Sequence, residues 1–383
     1  MYSTDYNMNV VDPLVEIMLE LVQAGIFNKK PVISKGAEID WDKLMDISMN
    51  QGLLSWVWEG ICKLPTEQQP GRPYRINWGL SVQTLQEQYE KNESVLKKMI
   101  DICNNNDMKL LLLKGIGLSK LYTNPSSRPS SDIDIFLFED YEKGNQLLFN
   151  NQGYLGGKHF ITAFDGVQVE NHLWLIDMCT SIQRKVEKYL KSTINTCEKT
   201  EDGYYVFSSE NLILYVLMHL LAHLNNPGDD PLKVRSIVDF GYILYLVKDN
   251  SVLKRVYDLI QKFNLEKAFL LFVELSEKML LIDLSRFKAN NNLNNKDVGR
   301  ALNLILQDEY RCPPFYNEPK CNKLREWWRY YRKIRWRYKY LPGIELTRLR
   351  IFINDYFHHL IKTMLGMPVN VPLKEGLKMK RNG

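Results

Sequence analysis

Apolar positions along this 383-residue chain change period twice, and the changes divide it into three regions. From the start to about residue 107 they recur at helical spacing. Asp12-Pro13 reads as a cap and first helical position, and the run VEIMLELVQAG that follows ends at Gly25. A second helical run covers Trp41 to Leu64, and a loop with three prolines follows it. Val82, Leu85, Tyr89, Leu96, Met99 and Cys103 mark a third helix, stopped by Asn104-Asn105-Asn106-Asp107. Between about 108 and 205 short strand-like runs alternate with helices. KLLLLK is a buried strand, Asp132 to Leu137 alternates with period two, and Asp165-Gly166 between two alternating runs signals a tight hairpin. From 206 onward helical spacing returns, in SENLILYVLMHLLAHL, VRSIVDFGYILYLV, VLKRVYDLIQKF and EKAFLLFVELSEKMLL. The pattern predicts an α+β fold: a small mixed-sheet core at 108–205, a helical region at 1–107 and a helical region at 206–383.

Composition changes this picture little. Hydrophobic residues at 45% and charged residues at 25% are ordinary for a globular chain. The six cysteines form no C-x-x-C pair, which argues against a cysteine zinc site or a disulfide framework and fits a reducing cytoplasm. The N-terminus lacks the basic start and apolar run of a signal peptide, and no stretch reads as a membrane span. The charge distribution is more informative. Lys320 to Tyr340 carries nine Lys or Arg, one Glu and seven Trp or Tyr. Three readings stand for it: stacking on nucleic-acid bases with phosphate neutralisation, an amphipathic helix at a membrane surface, or a helix whose aromatics pack inward.

The candidate chemistry lies in the middle region. In a strand, residues i and i+2 share a face, so Asp132 and Asp134 project side by side while Ile133 and Ile135 point into apolar packing. Such a pair of hard oxygen donors suits Mg²⁺. Glu170 lies mid-strand in the hairpin, where a carboxylate is costly unless it is paired or binds a metal. Three carboxylates on neighbouring strands are able to hold two Mg²⁺ ions. Upstream, Lys114-Gly115-Ile116-Gly117 forms a turn that lets backbone approach a ligand, with a helix start facing that space. Lys114 is either a triphosphate contact or a strand-end lysine reaching solvent. Arg128, in the loop TNPSSRPSSD, is either a phosphate clamp or part of a flexible linker. His172 shares the Glu170 face, to touch phosphate, orient Glu170, or hydrogen-bond a neighbouring strand. His219 and His223, and likewise Arg235 and Asp239, are i, i+4 pairs on helices. No third ligand accompanies the two histidines, which leaves acceptor-pocket contacts or core packing; the second pair reads as an ion pair on its own helix or at the rim of the site.

The series Lys114, Gly115, Leu118, Tyr122, Arg128, Asp132, Asp134, Glu170 and His172 resembles a bacterial family of uncharacterised nucleotidyltransferases within the DNA polymerase beta-like superfamily. The resemblance implies transfer of a nucleoside monophosphate, AMP from ATP first among the choices, to a hydroxyl-type acceptor with release of pyrophosphate. It assigns catalysis and metal binding to Asp132, Asp134 and Glu170, with two Mg²⁺ ions. It assigns nucleotide contacts to Lys114, Gly115, Gly117, Arg128 and His172. A regulatory nucleotide-binding module and an RNA-terminal transferase acting through 320–340 are the alternatives.

Overall fold

Asp12 caps the first helix as expected, its side chain accepting from the Leu14 N–H at 2.9 Å. In the computed structural model, which describes residues 12–33, 38–156, 158–177, 180–224, 232–288, 295–306 and 361, this helix is α1 (Pro13–Ile26). The basic aromatic segment 320–340 lies outside the described residues.

The run from Trp41 to Leu64 is two helices rather than one. α2 (Trp41–Asn50) and α3 (Leu54–Ile61) are separated at Gly52, whose φ of +71° a side chain would resist. The break has a long-range cause. Gln51 accepts the Val234 N–H on its side chain at 3.0 Å and the Arg235 N–H on its backbone carbonyl at 3.3 Å. The chain leaves the helix here to satisfy the open N–H groups of a helix far along the sequence. α1 and α3 meet through reciprocal glycines. A Cβ on Gly25 would lie 2.2 Å from the Trp56 carbonyl oxygen, and one on Gly60 would lie 2.2 Å from that of Leu21. Gly25→Ala must therefore push the two helices apart. The expected cost is about 1–3 kcal/mol, read as a lower urea midpoint at unchanged m value.

α4 (Arg72–Asn105) begins ten residues before the first apolar marker, Val82. Gly71 caps it and Pro73 sits in its first turn, so the loop expected before Val82 is partly helix. Beyond it lie β1 (Leu111–Leu112), α5 (Ile116–Ser119), β2 (Asp132–Phe136) and α6 (Tyr141–Phe149). Next come β3 (Tyr154–Gly156), β4 (His159–Phe164), β5 (Val167–His172) and α7 (Ser181–Ser192). β6 (Glu198–Lys199), β7 (Tyr205–Val206), α8 (Ser209–Leu224), α9 (Val234–Leu246), α10 (Asn250–Lys262), α11 (Glu266–Leu280) and α12 (Asn295–Leu306) complete the described elements. The fold is α+β, as the periodicity predicts.

The seven strands form one mixed sheet in the order β3-β4-β5-β2-β1-β7-β6. Asp165 and Gly166 take positive φ at the β4–β5 turn, as the hairpin signal requires. β5 lies parallel to β2, which is antiparallel to β1. One sheet face, carrying Ile133, Ile135 and Val169, packs with Leu96, Met99 and Ile100 of α4. Phe136, on the opposite face, joins a larger core with α1, α3, α8, α9 and α11. Asp132 and Asp134 share the face of Phe136, so the alternation of β2 aims its acids at α8 and α9. No described helix is long and apolar enough to cross a membrane.

Candidate active site

Pairing of β2 with β5 places the three acids together. Asp132 is opposite Gln168 and Asp134 is opposite Glu170 in the parallel register. One carboxylate oxygen from each of Asp132, Asp134 and Glu170 lies within 4.8 Å of the others. Ile133 and Val169, paired between them, are fully buried on the other face and hold the strands in this register.

Asp134 has no solvent exposure. Its Oδ1 receives Lys114 Nζ at 3.0 Å and lies 2.9 Å from His172 Nε2. Its Oδ2 is buried without a hydrogen-bond partner. Burial would raise the Asp134 pKa, but Lys114 and His172 outweigh it and hold the carboxyl well below the usual range. Burial would lower the Lys114 pKa, and the Asp134 charge, with smaller help from Tyr215, Asp132 and Glu170, keeps it raised. Asp132 is pushed up by burial and then by Asp134. Glu170 is raised to about 7, first by burial and then by the charge of Asp134. Crowded negative charge with one orphaned buried oxygen and a wholly oxygen donor set is the chemistry of a hard divalent cation site. The residues therefore fit Mg²⁺.

The glycine turn brings Lys114 to this spot. Leu113 donates its N–H to the Asp134 carbonyl at 3.1 Å, tying the turn to β2. Gly115 takes φ +58° and ψ −120°, a conformation open to glycine. A Cβ there would meet Ser130 Oγ at 2.9 Å and Asp134 Oδ2 at 3.5 Å. α5, the helix expected to face a phosphate, is a single turn of four residues and carries little dipole. Gly117 faces the core, where a Cβ would press on Leu112 Cγ at 3.0 Å.

Arg128 is buried at 4% exposure rather than reaching outward on a flexible loop. Its Nε and Nη2 each donate at 2.8 Å to the two carboxylate oxygens of Asp239 in α9. Its Nη1 donates to the Gly115 carbonyl at 2.7 Å. Tyr122 adds its hydroxyl to Asp239 Oδ1 at 2.9 Å, and its ring stacks on Tyr242 at 4.3 Å between centroids. Asp239 is thus bound to Arg128 and Tyr122, while Arg235 Nη1 donates to the Pro129 carbonyl at 3.1 Å. From the other side, Asn92 of α4 donates to the Ser130 carbonyl at 2.9 Å. The loop between α5 and β2 is pinned on both flanks.

A cleft of about 210 Å³ is lined by Lys114, Asp132 and Asp134 and, from the helices, by His219, His223 and Arg235. The Nε2 atoms of His219 and His223 are 3.0 Å apart, so one of them must donate to the other. Burial, and then His223, depress the pKa of His219.

One polar neighbour escapes the motif reading: His159 in β4, whose Nδ1 is 3.3 Å from Glu170 Oε2. The two-residue turn at Asp165-Gly166 was the available signal. Counting back from it pairs His159 with His172 and Ile161 with Glu170, as observed.

Residues 37–280 match the model of a family described as uncharacterised nucleotidyltransferase. No curated protein and no solved structure matches the chain. The match covers more than half of the sequence, and the chain belongs to this nucleotidyltransferase family.

Proposed function

From membership in a nucleotidyltransferase family, we propose that the cleft transfers a nucleoside monophosphate, AMP from ATP first among the choices, to a hydroxyl-type acceptor. The observation that carries this reading is the register of Asp134 against Glu170, which gathers three carboxylates beside Lys114 and the Gly115 turn. Asp132, Asp134 and Glu170 would hold Mg²⁺, two ions by the arrangement expected of three acids. The metal supplies charge neutralisation on the triphosphate and a lower pKa for the attacking hydroxyl.

The chain's own groups do the rest. Lys114, now paired with Asp134, is a point charge that the triphosphate oxygens of a bound nucleotide compete for. Gly115 leaves the backbone open where any Cβ would crowd Ser130 and Asp134. Glu170, beside Asp134 in the register, is placed to take the acceptor's proton as the oxygen–phosphorus bond forms. The bond from the α-phosphorus to the bridging oxygen breaks, and pyrophosphate leaves. His172 fixes Asp134 from behind, and Arg128 braces the turn through the Gly115 carbonyl. Alignment and charge account for most of the rate, since this chemistry asks for little covalent participation by the protein.

Incubation of the full chain with α-labelled nucleoside triphosphate, Mg²⁺ and a panel of metabolites, proteins and RNAs should move label to one acceptor class and release pyrophosphate stoichiometrically. Tight Mg-ATP binding by calorimetry, with no pyrophosphate released on any acceptor, would instead identify a regulatory nucleotide-binding module.

A further inference from the structure

His159 and His172 face each other across the β4–β5 ladder, and Glu170 lies two residues before His172 on the same face of β5. One ligand-type atom from each of the three lies within 4.8 Å of the others. We propose that His159, Glu170 and His172 form a second cation site, for a borderline divalent ion of the Zn²⁺ type, separate from the three-carboxylate site and sharing Glu170 with it.

Three observations support it. The first is the separation of the donor atoms. His159 Nδ1 is 3.3 Å and His172 Nε2 is 3.8 Å from Glu170 Oε2. Ligands 2.0–2.2 Å from one tetrahedral Zn²⁺ stand about 3.3–3.6 Å from each other, so the cage needs only small side-chain shifts. The second is that His159 Nδ1 is buried and makes no hydrogen bond, despite its nearness to Glu170. The third concerns His172, which is fully buried with an acceptor at each end of its ring. Nδ1 lies 3.2 Å from the Trp174 carbonyl and Nε2 lies 2.9 Å from Asp134 Oδ1. With Nδ1–H on the Trp174 carbonyl, a neutral ring offers the Nε2 lone pair to a cation. A divalent ion on Nε2 would replace the Nε2 contact with Asp134, while Nδ1–H keeps the Trp174 carbonyl. A backbone carbonyl behind the other ring nitrogen is the usual support of a metal-bound histidine.

Two imidazoles and one carboxylate select a borderline ion, whereas the all-oxygen set beside it selects a hard one. Of the two lysines beside the histidines, Lys158 pairs with Asp177 at 3.6 Å and Lys114 with Asp134 at 3.0 Å. Glu170 belongs to both sets, so an ion held by the histidines governs how much of that carboxylate remains for Asp132 and Asp134. The binding claim itself does not depend on nucleotidyl transfer.

The test uses the full chain, stripped with chelator and then titrated with Zn²⁺ or Co²⁺ in excess Mg²⁺. One Zn²⁺ per chain should remain bound against Mg²⁺, and His159→Ala should weaken it by more than about 100-fold, beyond the ~10–100-fold effect of residues that only orient a ligand. Asp132→Asn, outside the histidine set, should keep its Zn²⁺. X-ray absorption at the zinc edge of the wild-type chain should show two imidazole ligands, a readout that stands even if His159→Ala fails to fold. No retained Zn²⁺, equal retention by His159→Ala, or an all-oxygen shell would overturn the site. Loss of transfer with Zn²⁺ binding intact would bear on the proposed reaction alone.

Discussion

Asp132→Asn should lower nucleotidyl transfer by at least about 10²–10³-fold, the loss that follows removal of a single electrostatic stabiliser, while leaving thermal stability equal or slightly raised. The two halves of this result have separate physical origins. Asp132 is only partly buried, and its pKa is pushed up by burial and by the nearby Asp134 charge. Its negative charge is therefore a strain on the empty site, and an asparagine of the same shape relieves it. For the transfer step, the same change removes one of three carboxylates gathered within 4.8 Å. Asp134→Asn is a poorer experiment, because it deprives Lys114 and His172 of the oxygen they share. Removal of one partner from a buried ion pair costs about 3–5 kcal/mol, so the loss of fold and the loss of chemistry would be confounded. Transfer assays beside thermal melts of both variants separate the cases. Full activity in Asp132→Asn would remove these acids from the reaction.

Arg128→Ala should destabilise the fold by about 3–5 kcal/mol. It would leave Asp239, 3% exposed, without its bidentate partner, and the Gly115 carbonyl without its donor. Arg128→Lys should recover little, because an ammonium cannot serve two carboxylate oxygens and a carbonyl in one plane. Replacing both partners with apolar residues, Arg128→Met with Asp239→Leu, should restore much of the stability and none of the hold on the turn. Denaturant unfolding of the wild type, Arg128→Met, Asp239→Leu and the double variant yields the coupling energy of the pair, and Mg-ATP affinity of the double variant reports whether the turn needs its brace. A coupling energy near zero would mean that the guanidinium is not the link between loop and helix.

Features set by neighbours a few positions apart are legible in the sequence, and those set by distant partners are not. The α1 cap, the Asp165-Gly166 hairpin and the alternation of β2 all depend on residues a few positions apart, and each stands in the structure. The same hairpin fixed the pairing of His159 with His172, although that inference needed counting across the turn rather than looking for motifs. The start of α4 carried a local signal that the proline-rich reading as loop passed over, since Gly71 and Pro73 form a helix opening there. The parallel pairing of β2 with β5 was not legible, because no turn connects the two strands and nothing local sets their offset. Arg128 shows the limit most clearly. Its sequence neighbours cannot distinguish a phosphate from a buried carboxylate, and its partner stands 111 residues away. The break at Gly52 is similar, since apolar spacing continues across it and the reason for it is the exposed start of α9.

The contact between Arg128 and Asp239 also bears on where this protein tolerates being cut. The sheet that carries the acids ends at Val206, and a fragment stopping there would look self-sufficient on a diagram. It would strand a guanidinium inside an apolar wall, since its counter-charge arrives on α9, and it would bare Phe136 and Leu113, which share their core with the later helices. Trimming toward a minimal catalytic piece must keep the chain at least through Leu246, and a split pair of fragments should reassemble only if both halves of that salt link are present.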